Sequence, residues 1–171
     1  HVPNPAQPDE AVCLSDGGHS ENLGLLALLR RRCRTILVVD AEHDPTFAFG
    51  SYHKLKQAVR RESGVELHVR EIEARNPETV RKTVSTVGEG LARWPDGSEA
   101  RVVYLKLSAI QDERFLGAGA EDVRVYASTH PAFPQESTVD QYFEPAQFKA
   151  YRALGRAAGH ALPQDLCTPT S

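Results

Sequence analysis

The chain contains no methionine, one tryptophan and only three cysteines, and none of its apolar runs reaches the roughly 18 residues that a membrane-spanning helix requires. Each scarcity excludes something. Cys13, Cys33 and Cys167 are odd in number and form no Cys-x-x-Cys pair, so neither a disulfide framework nor a zinc ribbon is indicated, and reduced thiols in a cytosolic setting are the simple reading. An excess of one charge is lacking as well. With 20 Lys plus Arg against 23 Asp plus Glu the net charge is −3, and no basic stripe is interleaved with aromatics, which argues against nucleic acid as a partner. No charged-then-apolar leader opens the chain. The first residue is His1 rather than Met, and the expectation is a longer parent whose remainder lies on the N-terminal side.

What is present is a chain of 171 residues, 40% hydrophobic and 25% charged. A domain of that size buries roughly 70% of the surface its unfolded form exposes, enough for a core without staples. Residues 1–10 carry Pro3, Pro5 and Pro8 among polar neighbours and read as a connector. Residues 11–161 read as one folded unit and 162–171 as a loose tail.

The stretch from Leu14 to Asp40, LSDGGHSENLGLLALLRRRCRTILVVD, organises the rest. Ala11 to Leu14 is a short apolar run, the end of a buried strand, followed by Asp16 and the turn glycines Gly17 and Gly18. Ser20 or Asn22 is placed to cap the next helix, whose apolar stripe is Leu25, Leu28 and Leu29. Thr35 to Val39 is continuous and rich in β-branched residues, the pattern of a parallel strand covered on both faces, and Asp40 ends it.

Tyr52, Leu55, Ala58 and Val59 recur at helical spacing before Gly64. Val65, Leu67 and Val69 then alternate with polar residues as in a half-exposed strand. This order is βαβαβ, in which ligands sit beyond the carboxyl ends of the strands, where Asp16 and Asp40 would lie. Between Thr79 and Trp94 the periodicity is mixed, with a strand favoured in the later part. Pro95-Asp96-Gly97-Ser98 followed by Val102 to Leu107 predicts a hairpin. Glu121 to Thr129 predicts a short helix ended at His130-Pro131, and Pro145 to His160 a helix whose Phe148, Tyr151, Leu154 and Ala158 would dock on the sheet.

Asp16 with Gly17 and Gly18 is the first candidate site. A carboxylate at a strand end can accept a proton from a hydroxyl held opposite, whereas Asp-Gly is also a common turn dipeptide. Gly18-His19-Ser20-Glu21-Asn22 comes within one residue of a Gly-x-Ser-x-Gly elbow, which raises Ser20 as a nucleophile against the simpler role of helix cap. Asp40, Glu42, His43 and Asp44, with His19 and Glu21, offer oxygen and imidazole donors for a divalent metal, but their spacing matches no defined loop. Arg30 to Arg32 and Lys54, Lys56, Arg60 and Arg61 could meet anionic lipid headgroups, or form a dipole-matched helix end and a solvated face, the favoured reading.

The run Leu14 to Asp44, LSDGGHSENLGLLALLRRRCRTILVVDAEHD, resembles the C-terminal part of the catalytic domain of patatin-like phospholipases, especially those close to cytosolic phospholipase A. The hairpin around Pro95-Asp96-Gly97 and the segment Phe133 to Gly155, FPQESTVDQYFEPAQFKAYRALG, resemble the bacterial branch of that family. The resemblance implies a three-layer α/β/α fold with a mainly parallel sheet plus a C-terminal β-hairpin, of which this chain is the C-terminal fragment. It also implies a serine–aspartate dyad that hydrolyses acyl esters of phospholipids or related lipids without metal or other cofactor.

Asp16 matches the dyad aspartate, and Gly17 and Gly18 its glycines, with Asn22 and Asp40 in supporting places. The nucleophilic serine and the glycine-rich oxyanion loop have no counterpart in these residues. The expected partners are therefore an acyl-lipid substrate, the missing N-terminal half of the catalytic domain and, peripherally, a membrane surface, with a cytoplasmic or membrane-associated location. By itself the chain is expected not to hydrolyse esters. The rivals are a non-catalytic interaction module of the same fold and a hydrolase with Ser20 as nucleophile.

Overall fold

The computed structural model describes residues 21–73, 87–108 and 116–167. The expected strand at Ala11 to Leu14, the turn at Asp16 to Gly18, Ser20, the first part of the Thr79 to Trp94 stretch and the end of the tail lie outside the described residues.

The fold is mixed α/β. Its elements run α1 (Leu25–Arg30), β1 (Thr35–Asp40), α2 (Gly50–Ser63), β2 (Glu66–Val69), α3 (Arg70–Glu73), β3 (Val87–Arg93), β4 (Glu99–Lys106), α4 (Ala120–Thr129) and α5 (Pro145–His160), with 3-10 turns at Gly117–Gly119 and Gln164–Cys167. The strands form one four-stranded mixed sheet in the order β1-β4-β3-β2. β1 pairs parallel to β4, whereas β3 is antiparallel to both β4 and β2. Strands β1, β2 and β4 therefore point one way and β3 alone runs back.

Among the described residues the sheet is thus mixed, where a mainly parallel sheet plus a C-terminal β-hairpin was expected. The hairpin is there, closed by Trp94 N–H to the Ser98 carbonyl at 2.9 Å and by Gly97 at φ 83°. It lies between β1 and β2, and two helices follow it. Apolar alternation gives a strand's existence and its buried face, but direction and neighbours are chosen by pairing and register. Here Ile36, Val38 and Asp40 match Val102, Tyr104 and Lys106 across the parallel pair.

One face of the sheet carries the core. Ile36, Val38, Leu67, Val69, Ala92 and Val102 pack with Leu25 and Leu29 of α1 and Tyr52, Leu55 and Val59 of α2, each large side chain contributing about 1.5–3 kcal/mol through burial. Helix α2 ends as its glycine predicts: Gly64 adopts φ 67° and its N–H donates to the Arg60 carbonyl. At Gly90 the backbones of β3 and β2 meet so closely that a Cβ would lie 2.0 Å from the His68 carbonyl oxygen.

The opposite face of β1 is open. Leu37 is 38% and Val39 61% exposed, so the strand expected to be covered on both sides alternates buried and exposed as an edge strand. Helix α5 also departs from expectation, with its bounds correct and its docking face elsewhere. It packs mainly on α4 and the 3-10 turn before it, burying Ala150, Leu154, Ala157 and Ala158 while Phe148 stays exposed. Leu116, Leu154 and Ala157 form a second, smaller core with Val123 and Phe133. Alanine-rich helices can approach closely, and Gly119 removes the side chain that would otherwise strike Ala153. The expected loose tail is ordered in part, because Asp165 pairs with Arg101 of β4 at 2.8 Å.

Candidate functional site

The carboxyl ends of β1 and β4 gather a buried, fully bonded polar group. Asp40 and Lys106 are each 2% exposed and paired at 2.9 Å. Lys106 Nζ donates to Asp40 Oδ1 and to the Glu42 carbonyl, Tyr104 OH donates to Asp40 Oδ2 at 2.6 Å, and the Glu42 N–H donates to Asp40 Oδ1. Three donors thus satisfy a carboxylate that would otherwise be costly to bury. Burial, with the bond to Asp40 and the negative charges of Asp40, Glu42 and Asp44, pushes the Tyr104 phenol well above its ordinary range. Tyr104 is therefore a donor here and not a base.

The loop after β1 is fixed from three sides. Glu42 Oε1 accepts from Asn22 and from Ser51 of α2. Asp44 accepts the N–H groups of Ala48 and Phe49, which shapes the entry to α2 through Phe49 at φ 52°. Gln135, 5% exposed, clamps both strand ends: its amide donates to the Leu107 carbonyl and accepts from Asp44 N–H, while its own carbonyl accepts from His43 Nδ1 at 2.7 Å.

Asp16, Gly17, Gly18, His19 and Ser20 lie outside the described residues. Asn22 is described, and it is not the cap of α1. The N-cap is Gly24, at φ 68° and without a side-chain cap bond, and the Glu21 carboxylate reaches in to accept the N–H groups of Leu23 and Leu26. Asn22 turns instead to the loop that Asp40 anchors, so the two supporting residues share one network although 18 positions separate them.

The donors considered for a metal are engaged otherwise: Asp40 with Lys106 and Tyr104, Glu42 with Asn22 and Ser51, Asp44 with backbone N–H groups. Among the described residues no three His, Cys, Asp or Glu side chains are grouped to hold a metal ion. No known protein family, curated protein or solved structure matches this chain. The site must therefore be read from its own chemistry.

Lys106, Tyr104 and Gln135 do not stand out in the sequence. A lysine closing the apolar run Val102 to Lys106 is a usable signal, since a charge there needs a buried partner. Knowing that Asp40 is that partner requires the register. Elsewhere, Arg30 pairs with Glu62, Arg32 with Asp96 while lying over the Trp94 ring, and Lys56 with Glu73. Of the cations on α2 and at the end of α1, Arg30, Arg32 and Lys56 are thus held by carboxylates. Among the described residues no helix is long and apolar enough to cross a membrane.

A second polar cluster joins α2, β2 and α3. Glu73 accepts from Tyr52 OH, Lys56 Nζ and His68 Nδ1, and Tyr52 OH in turn accepts the Val69 N–H. Burial would raise the pKa of Glu73, but the bonds from Lys56, His68 and Tyr52 outweigh it and hold the carboxyl at about 2. With every oxygen engaged, this cluster fastens the element ends together and offers no free base.

Proposed function

We propose that the chain is the C-terminal part of the catalytic domain of a patatin-like lipid acyl hydrolase, with Asp16 as the general base of a serine–aspartate dyad. The observation that carries the reading is the continuous run from Asp16-Gly17-Gly18 to Asp40. The far end of that run is locked to the carboxyl edge of the sheet by Lys106 and Tyr104, and Asn22, nearer its start, is tied to the same loop. In this reading the sheet belongs to a three-layer α/β/α fold. On the face opposite the main core Val103 and Leu105 of β4 are already buried, while Leu37, Val39 and Leu91 of the flanking strands are exposed and would be apolar surface for the rest of the parent domain to cover.

The chemistry follows from the dyad. Asp16 would take the proton of a serine hydroxyl, the oxygen would attack the ester carbonyl, and water would later hydrolyse the acyl-enzyme. A carboxylate near its ordinary pKa of about 4 is a weak base toward an alcohol, so alignment and an oxyanion hole must lower most of the barrier. Asp40 is a positioning residue in this scheme, since both its oxygens are occupied. The 171 residues hold no Gly-x-Ser-x-Gly, so the nucleophile would come from another part of the parent.

The test compares parent and fragment. Asp16→Asn in the full-length parent is expected to lower acyl-ester turnover on the order of 10⁴-fold or more, and the 171-residue chain alone is expected to show no esterase activity and no fluorophosphonate labelling. An unchanged turnover would leave the non-catalytic module as the better reading. Labelling of the isolated chain that Ser20→Ala removes would move the nucleophile to Ser20.

A further inference from the structure

Helix α5 carries Lys149, Arg152, Arg156 and His160 but no acidic residue. All four line one groove of about 430 Å³, whose other wall is the Gly117–Gly119 turn and the start of α4. Their spacing of three or four residues places them in a single row along the helix. Like charges so placed repel one another, and among the described residues the only acid lining the groove is Asp122.

The row contrasts with six cations elsewhere in the molecule, and differs from the scattered Arg31, Arg34, Lys54, Arg60 and Arg61, also unpaired among the described residues, in lining a single groove. Arg30, Arg32, Lys56, Arg93, Arg101 and Lys106 each have a carboxylate partner, whereas none of the four groove cations makes an ion pair among the described residues. The helix dipole does not account for them either. It favours cations in the last turn, where only His160 lies, and Lys149 and Arg152 gain nothing from it. The floor is small and apolar, with Leu116, Ala118 and Ala153, and the volume suits a small molecule.

We propose that this groove is an anion site for a phosphate ester, held by the guanidinium groups of Arg152 and Arg156 with Lys149 and His160 at either end. A guanidinium presents paired N–H donors to phosphate oxygens, and two of them one helical turn apart can hold one group from two sides. The shared chemistry covers a soluble phosphate ester and the phosphodiester headgroup of a lipid. The site rests on residues 116–119, α4 and α5 and does not depend on Asp16 or on the hydrolase reading.

The experiment titrates the full chain with glycerol 3-phosphate while following amide shifts, and in parallel measures co-sedimentation with phosphatidylglycerol vesicles. Saturable shifts confined to Gly117–Gly119 and α5, weakened about tenfold by Arg152→Gln with Arg156→Gln, support the site with a soluble ester. Vesicle binding with the same dependence and no soluble binding supports it with a headgroup. Asp122→Asn should tighten either, and added salt should weaken either. The control Arg60→Gln with Arg61→Gln on α2 should change neither. The proposal is overturned if the groove variant binds both probes as the wild type does, if neither probe binds, or if the α2 variant loses as much. These readouts are of binding, so an inactive parent enzyme would not mimic their failure.

Discussion

Lys106 and Asp40 illustrate how a pair of side chains can fix the edge of a sheet. Each is buried because the other is there, and removing one leaves an uncompensated charge in the interior. Lys106→Met is therefore expected to cost about 3–5 kcal/mol in urea unfolding. The double substitution with Asp40→Asn should cost less than the sum of the two singles, because the loss is shared. Glu73 makes a pH-dependent contribution. Its folded pKa of about 2 lies below the ordinary glutamate value of 4.5, so its stabilisation is complete above pH 4.5 and is lost as the pH falls through that interval towards 2. Unfolding curves collected across this range should show a loss that Glu73→Gln lacks, and at neutral pH the variant should be weaker by on the order of 1–2 kcal/mol, the partners being partly screened. Neither network is legible in the sequence: Lys56 and Glu73 stand 17 residues apart with His68 between them, and nothing in that spacing says that one carboxylate will hold both.

The elements themselves are far more legible than their contacts. Helices α2, α4 and α5 and the β3–β4 hairpin stand where apolar period, Gly64, His130-Pro131 and Pro95-Asp96-Gly97 place them, because those signals act within a few residues of the chain. The docking of α5 is not legible, since an apolar stripe states that a face will be buried but not against what. Two glycines separate local preference from tertiary demand. Gly155 lies within α5 with open space for 4 Å around the place a Cβ would take, whereas at Gly90 that place falls on the backbone of β2. Gly155→Ala should raise the thermal stability by about 0.5–1 kcal/mol through helix propensity alone. Gly90→Ala should lower it by about 3 kcal/mol through overpacking, the loss appearing as accelerated amide exchange in β2.

At the scale of the molecule, the sheet order decides what can meet. Inserting β4 beside β1 brings Lys106 to Asp40 and leaves β2 at the far edge, so the loops after β1 and β4 are the ones that Gln135 ties together. On the face opposite the main core, Val103 and Leu105 of the inner strand β4 are buried while Leu37, Val39 and Leu91 on either side of it are exposed, and α4 and α5 share a second, smaller core. The cations of α5 line a groove shared with the start of α4, where Asp122 is the acid among the described lining residues.

By itself the sequence determined the class of the fold, the type and extent of most described elements and the presence of acids at strand ends, since these depend on period, turn chemistry and residue type over short spans. The tertiary structure alone decided that Asp40 is buried and fully bonded, that Asn22 serves its loop rather than a helix cap, and that four cations of α5 face one groove. Each of these depends on which distant segments come into register, and that choice is made by packing across the whole chain.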